Sequence, residues 1–233
     1  MRYLAKFEKK GMMIYVSHLD IQRLFQRAVK RAKLDLKYSG GYSPHPRLSF
    51  AQPLSLGHYS IAEYLEFETN GGHLHPGEIE GLFNRLLPAG VRIVDAWQLQ
   101  EGGKSVSSLV AAAKYRIEIP FFFSYMEATM DFFGRESIDC DKLNRKTGRT
   151  ESVNIRPLIL SLKPLMVNDN RIVLISSLHC GSASNLNPEQ MLKSFYRCSG
   201  HAYDRGAVRI ERTSLLGWSD DELVPLEHVA NRI

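Results

Sequence analysis

From Ser17 to Leu34, apolar and basic residues separate with the roughly 3.6-residue period of an α-helix, and this segregation constrains the fold more than any other feature of the chain. Set out at about 100° per residue, Ile21, Leu24, Phe25, Ala28, Val29 and Ala32 share one face. Arg23, Arg27, Lys30 and Arg31 gather on the other. Ser17 followed by Asp20 resembles a capping box, in which hydroxyl and carboxylate satisfy amide protons that the first turn leaves orphaned. The apolar face therefore needs a partner layer, and the basic face is turned to solvent.

The flanking segments supply that layer. Arg2–Lys9 alternates polar and apolar residues as a strand does, and Gly11 breaks it before a short apolar run, Met12–Val16. Beyond the helix, Leu48–Ala51 and Ile61–Thr69 read as strands, Pro76–Leu87 as a helix opened by proline, and Val91–Leu99 as a strand. The order β-α-β-β-α-β is that of the ferredoxin-like split. Glu101–Ser108, rich in glycine and serine, reads as a linker. The order of elements then recurs: strand Lys114–Ile119, helix Ser124–Phe133, strand-like segments around Lys146–Arg149, strand Arg171–Leu178, helix Pro188–Arg197 and strand Ala207–Ser214. The expectation is an α+β protein of two tandem ferredoxin-like domains, residues 1–100 and 109–233.

Charge is distributed unevenly over this plan. Residues 1–50 hold eleven Lys/Arg against three Asp/Glu, a net of +8, whereas the whole chain carries +5. A clustered positive field of this kind attracts a polyanion, while scattered charges serve solubility. Lys6, Glu8, Lys9 and Lys10 precede too short an apolar run for a secretion signal. No stretch approaches the roughly 18 apolar residues of a membrane span. The three cysteines, Cys140, Cys180 and Cys198, are odd in number and widely spaced, so neither a disulfide framework nor a paired metal site is indicated. The expected location is the cytoplasm, with no membrane partner.

The candidate chemistry lies in and after the basic helix. Arg23, Arg27, Lys30 and Arg31 could meet successive phosphates, each contact weakened by salt. In the following loop, Gly40 and Gly41 permit close backbone approach, Tyr38 and Tyr42 offer stacking surfaces, and Arg47 is a bidentate donor. Pro44-His45-Pro46 fixes the backbone on both sides of an imidazole. If His18 in the first helical turn faced that loop, His18 and His45 could act as the base and acid of metal-independent RNA cleavage. A solvated helix face and a proline-shaped turn are the structural alternatives. Lys142, Arg145, Lys146 and Arg149 form a second basic cluster at an expected hairpin tip, followed by Arg156 between Ile155 and Pro157. His73 and His75 are spaced to share a metal but lack a third ligand nearby, so no metal site is expected. No Walker A loop, Ser/His/Asp signature or dinucleotide fingerprint is present. Glu63, Glu66 and Glu68 stand where an RNA-recognition sheet would carry its basic-aromatic motif, so RNA should avoid that sheet face.

Ser17-His18-Leu19-Asp20, Arg23, Arg27-Ala28, Arg31-Ala32, Tyr38-Ser39, Pro44 to Ala51 and Pro53 to Gly57 closely resemble an uncharacterised bacterial family encoded beside, or fused to the end of, a radical-SAM protein. The similarity covers most of the chain, with a weaker block at Val153–Leu162, where Asn154 replaces the family's acidic residue. The resemblance implies a partner, an iron-sulfur radical enzyme. This chain lacks the three-cysteine cluster motif, so no cofactor is expected in it. The cluster and S-adenosylmethionine would belong to the partner. Tandem ferredoxin-like domains with a basic first helix also resemble, in architecture alone, the RNA-processing proteins of CRISPR systems. The resulting expectation is a non-catalytic module that binds RNA, transfer or ribosomal, for a radical-SAM enzyme. Arg23, Arg27, Arg31, Arg47 and Arg156 would grip phosphates. An RNA nuclease or transferase using His18 and His45, or a protein-binding scaffold, are the alternatives.

Overall fold

The computed structural model describes residues 1–71, 74–122, 124–143, 148–168 and 170–230. The chain packs as two units, Met1–Ala111 with Arg212–Ile233, and Ala112–Glu211. Residues from Arg212 onward, expected in the second domain, thus return to the first unit. The fold is α+β with antiparallel strands.

The first unit runs β1 (Arg2–Lys9), α1 (His18–Arg31), β2 (Leu48–Phe50), β3 (Tyr59–Glu68), α2 (Pro76–Asn84) and β4 (Val91–Leu99). β1 pairs antiparallel with β3 and β4, and β2 pairs antiparallel with β3, giving the order β4-β1-β3-β2. Period-two alternation sends Tyr3, Ala5 and Phe7 of β1 and Leu65 and Phe67 of β3 to one face, where they pack with Ile21, Phe25, Ala28 and Val29 of α1 and Ile79 and Phe83 of α2. Phe25 is the hub, 5.0 Å from Phe7 and 6.1 Å from Phe83 between ring centroids. Burying one such aromatic side chain contributes about 1.5–3 kcal/mol.

α1 starts where its sequence says it should, with Ser17 Oγ accepting from the Asp20 amide at 3.2 Å. It ends at Arg31, short of the expected Leu34, because Lys33 takes a left-handed φ of 54° that no α-helix continues. Met12–Val16 is largely a 3-10 turn, Gly11–Tyr15. α2 stops at Asn84, three residues before the expected end. The expected linker contains a short helix, α3 (Val106–Leu109), anchored by the Val106 amide donating to Glu66 at 2.8 Å.

The second unit holds β5 (Ala112–Pro120), α4 (Tyr125–Gly134), the hairpin β6 (Asp139–Leu143) and β7 (Thr150–Asn154), β8 (Ile159–Asn168), β9 (Arg171–His179) and α5 (Pro188–Cys198). β9 lies between β5 and β8, antiparallel to both. β8 is a strand that the sequence pattern missed. Pro164 argues against a strand and is tolerated here at a sheet edge beside a register shift. β10 (Arg209–Ser219) starts in this unit, and from Arg212 belongs to the first, followed by β11 (Glu222–Pro225) and α6 (Leu226–Val229). In the first unit, Glu227 of α6 pairs with Lys6 at 2.8 Å and accepts from the Tyr64 hydroxyl. Among the described residues no helix is long and apolar enough to cross a membrane.

Candidate functional site

Burying Ile21, Phe25, Ala28 and Val29 leaves Arg23, Arg27, Lys30 and Arg31 exposed along the opposite side of α1. Arg23 pairs with Asp20 at 2.9 Å across one helical turn. The bonds from Ser17 and Arg23 hold the Asp20 carboxyl below the usual carboxylate range. Arg27 and Lys30 form no ion pair among the described residues, and Arg31 donates only to the Leu86 carbonyl, at 3.4 Å. The loop after the helix closes on itself. Tyr38 bridges Pro46, the Ser39 amide donates to the His45 carbonyl at 2.8 Å, and the His45 amide donates to Ser39 Oγ at 3.0 Å. These bonds and the two prolines fix the backbone at His45 and leave its imidazole exposed. Tyr38 and Tyr42 are exposed too, Tyr42 completely.

Arg47 belongs elsewhere. Leu48 and Phe50 of β2 turn toward the α1 core, so Arg47 turns to the other face of the sheet. There its Nη1 donates to both carboxylate oxygens of Glu68 at 3.1 Å, in a pocket of about 360 Å³ that Arg2, Lys37, Glu66 and Glu101 also line. Cations and carboxylates balance in this pocket, so it is not a phosphate cradle. Arg47, expected to grip phosphate, spends its guanidinium on Glu68 instead.

His18 does not turn toward His45 either. Its ring lies edge-on to Phe50, 5.4 Å between centroids, and lines a cavity of about 10 Å³ with Phe7, Lys9, Ile21, Leu54 and Glu63. His45 is not part of that lining. Behind His18 is a group that sequence reasoning overlooked. Lys9, Glu63 and Arg212 are 2%, 4% and 2% exposed. Arg212 Nη1 lies 3.3 Å from Glu63 Oε1, and its Nη2 donates to the Pro53 carbonyl at 2.8 Å. Lys9 Nζ donates to the carbonyls of Val16 at 2.8 Å and Ile14 at 3.4 Å. Burial raises the Glu63 pKa and lowers that of Lys9, and burial together with the charges of Lys9 and Arg212 lowers that of His18. The missed signal was legible: Lys9 continues the stripe Tyr3, Ala5, Phe7, and Glu63 continues Phe67, Leu65, so each puts a charge where alternation demands an apolar residue.

The remaining candidates serve the fold or lie in the second unit. Arg149 is exposed just before β7. Arg156, expected to grip phosphate, donates through Nε to the Phe133 carbonyl at 2.8 Å and through Nη1 to the Ile159 carbonyl at 3.2 Å, its guanidinium 4.3 Å from the Phe133 ring centre. That is the work of a structural clamp. Lys142 is exposed, while Arg145 and Lys146 lie outside the described residues. His75 is the N-cap of α2, its ring accepting from the Gly77 amide at 3.2 Å, and His73 lies outside the described residues. Among the described residues no group of three or more His, Cys, Asp or Glu is arranged to hold a metal.

The family model described as "uncharacterized protein conserved in bacteria (DUF2344)" matches residues 2–188, a span that includes α1, the loop, Lys9, His18 and Glu63. The chain belongs to the DUF2344 family. Arg212, which completes the buried DUF2344 cluster, lies beyond the matched span. No curated protein matches the sequence. Among solved structures, an unknown protein from Galdieria sulphuraria is similar at 10% identity over 91% of this chain and 96% of that one, with a TM-score of 0.21, a likeness too slight to bear on fold or site.

Proposed function

We propose that this protein is a non-catalytic, cytoplasmic module that binds RNA and presents it to a radical-SAM enzyme, which would carry the iron-sulfur cluster and S-adenosylmethionine. The observation that carries the RNA part is the exposed face of α1, where Arg27, Lys30 and Arg31 point away from the core without an acidic partner among the described residues. Two stacking surfaces, Tyr38 and Tyr42, stand in the loop that follows. The partner rests on the resemblance of residues 15–66 to proteins encoded with such enzymes. The strand order β4-β1-β3-β2 supports reading the first unit as ferredoxin-like, and a second unit of related order would make the pair a tandem.

Single-stranded RNA should bind the full chain with an affinity that falls by about 0.7 log unit per log unit of salt for each phosphate contact. Replacing Arg27, Lys30 and Arg31 together with alanine should lower that slope by about 2. Absence of salt-sensitive binding, with tight capture of a radical-SAM protein, would overturn the RNA reading in favour of a scaffold. Cleavage products that persist with chelator and vanish in His45→Ala would make the protein a nuclease.

A further inference from the structure

We infer that the cavity beneath His18 holds one ordered water, bound by Lys9, Glu63 and the inward ring nitrogen of His18, and that this water fixes His18 with its N–H directed outward as a hydrogen-bond donor. The inference does not depend on the ligand being RNA.

Glu63 is 96% removed from solvent by its 4% exposure, lines the cavity, and its Oε1 has no hydrogen-bond partner, since the 3.3 Å approach of Arg212 lacks hydrogen-bond geometry. An orphaned carboxylate oxygen in such surroundings is costly. Lys9 spends two of its three N–H donors on Val16 and Ile14, and one remains. The cavity's volume of about 10 Å³ is close to what a single water occupies, and a buried water needs two to four polar partners. Lys9 can donate to the water oxygen. One water hydrogen then satisfies Glu63 Oε1, leaving the other for an acceptor.

Among the described residues, the one remaining polar side chain in the lining is His18. Lys9 from β1, Glu63 from β3 and Arg212 from β10 are the charged groups around it, and burial first, then the charges of Lys9 and Arg212, lower its pKa, which favours the neutral ring. A neutral imidazole has one acceptor and one donor nitrogen, and the bond made by one sets the role of the other. If the inward nitrogen accepts from the water, the outward nitrogen carries the proton. His18 is thereby suited to hold an oxygen-rich ligand and unsuited to remove a proton from it.

Long-range proton-nitrogen correlation spectra of the histidine-labelled full chain at neutral pH read the tautomer directly. His18 should occupy a single tautomer in the wild type, and Lys9→Met or the near-isosteric Glu63→Gln should convert it to a mixture. A crystal structure near 1.5 Å should show a water within about 3.2 Å of Lys9 Nζ and Glu63 Oε1. An empty cavity, a tautomer mixture in the wild type, or a tautomer unchanged in both variants would overturn the inference.

Discussion

Arg212 lies 3.3 Å from Glu63, a residue 149 positions earlier, and both are closed off from solvent. The pair fastens the returning segment of β10 to β3 within the first unit, and Arg212 adds bonds to the carbonyls of Pro53 at 2.8 Å and Gln52 at 3.3 Å. Arg212→Met should therefore cost about 3–5 kcal/mol, the range for removing one partner of a buried pair. A urea titration checks it. Arg212→Lys should recover little, because one ammonium cannot reach two carbonyls and a carboxylate in the same fork geometry.

His18 gives the stability a pH dependence of definite sign. Burial, reinforced by Lys9 and Arg212, holds its folded-state pKa below the ordinary value. As pH falls below about 6.5 the unfolded chain takes up the proton first, so stability falls with pH and levels off below the folded pKa. His18→Gln should show a shallower loss of urea midpoint than the wild type between about pH 7.5 and pH 5.

Gly90 precedes β4 with φ at 93°, and a Cβ there would stand 2.5 Å from the carbonyl oxygen of Lys10. The Lys10 amide donates to the Gly90 carbonyl at 2.7 Å, so neither strand can draw back without losing that bond. Gly90→Ala should destabilise the first unit by roughly 1–3 kcal/mol, read as a lowered thermal midpoint.

Arg156 should matter for folding. Its guanidinium binds two carbonyls and rests on Phe133. Arg156→Ala should cost about 1.5–3 kcal/mol, the worth of a charged hydrogen bond, and leave the salt dependence of RNA binding unchanged. Arg27→Ala should do the reverse, altering the salt slope with a stability change within about 0.5 kcal/mol.

Local periodicity and capping determined what could be read in advance: the start of α1 and its buried and basic faces, the strands around it, the cap at Ser17 and the backbone fixed by Pro44 and Pro46. These depend on residues a few positions apart, where backbone geometry dictates which side chains share a face. The tertiary structure alone decided which distant residues meet. It paired Arg47 with Glu68 across the sheet, gave His18 to Lys9 and Glu63 instead of His45, spent Arg156 on carbonyls of its own unit, and returned Arg212 to the first. A charge exposes its type in sequence, but whether it faces solvent or a buried counter-ion depends on a pairing between strands that closes only when the chain folds.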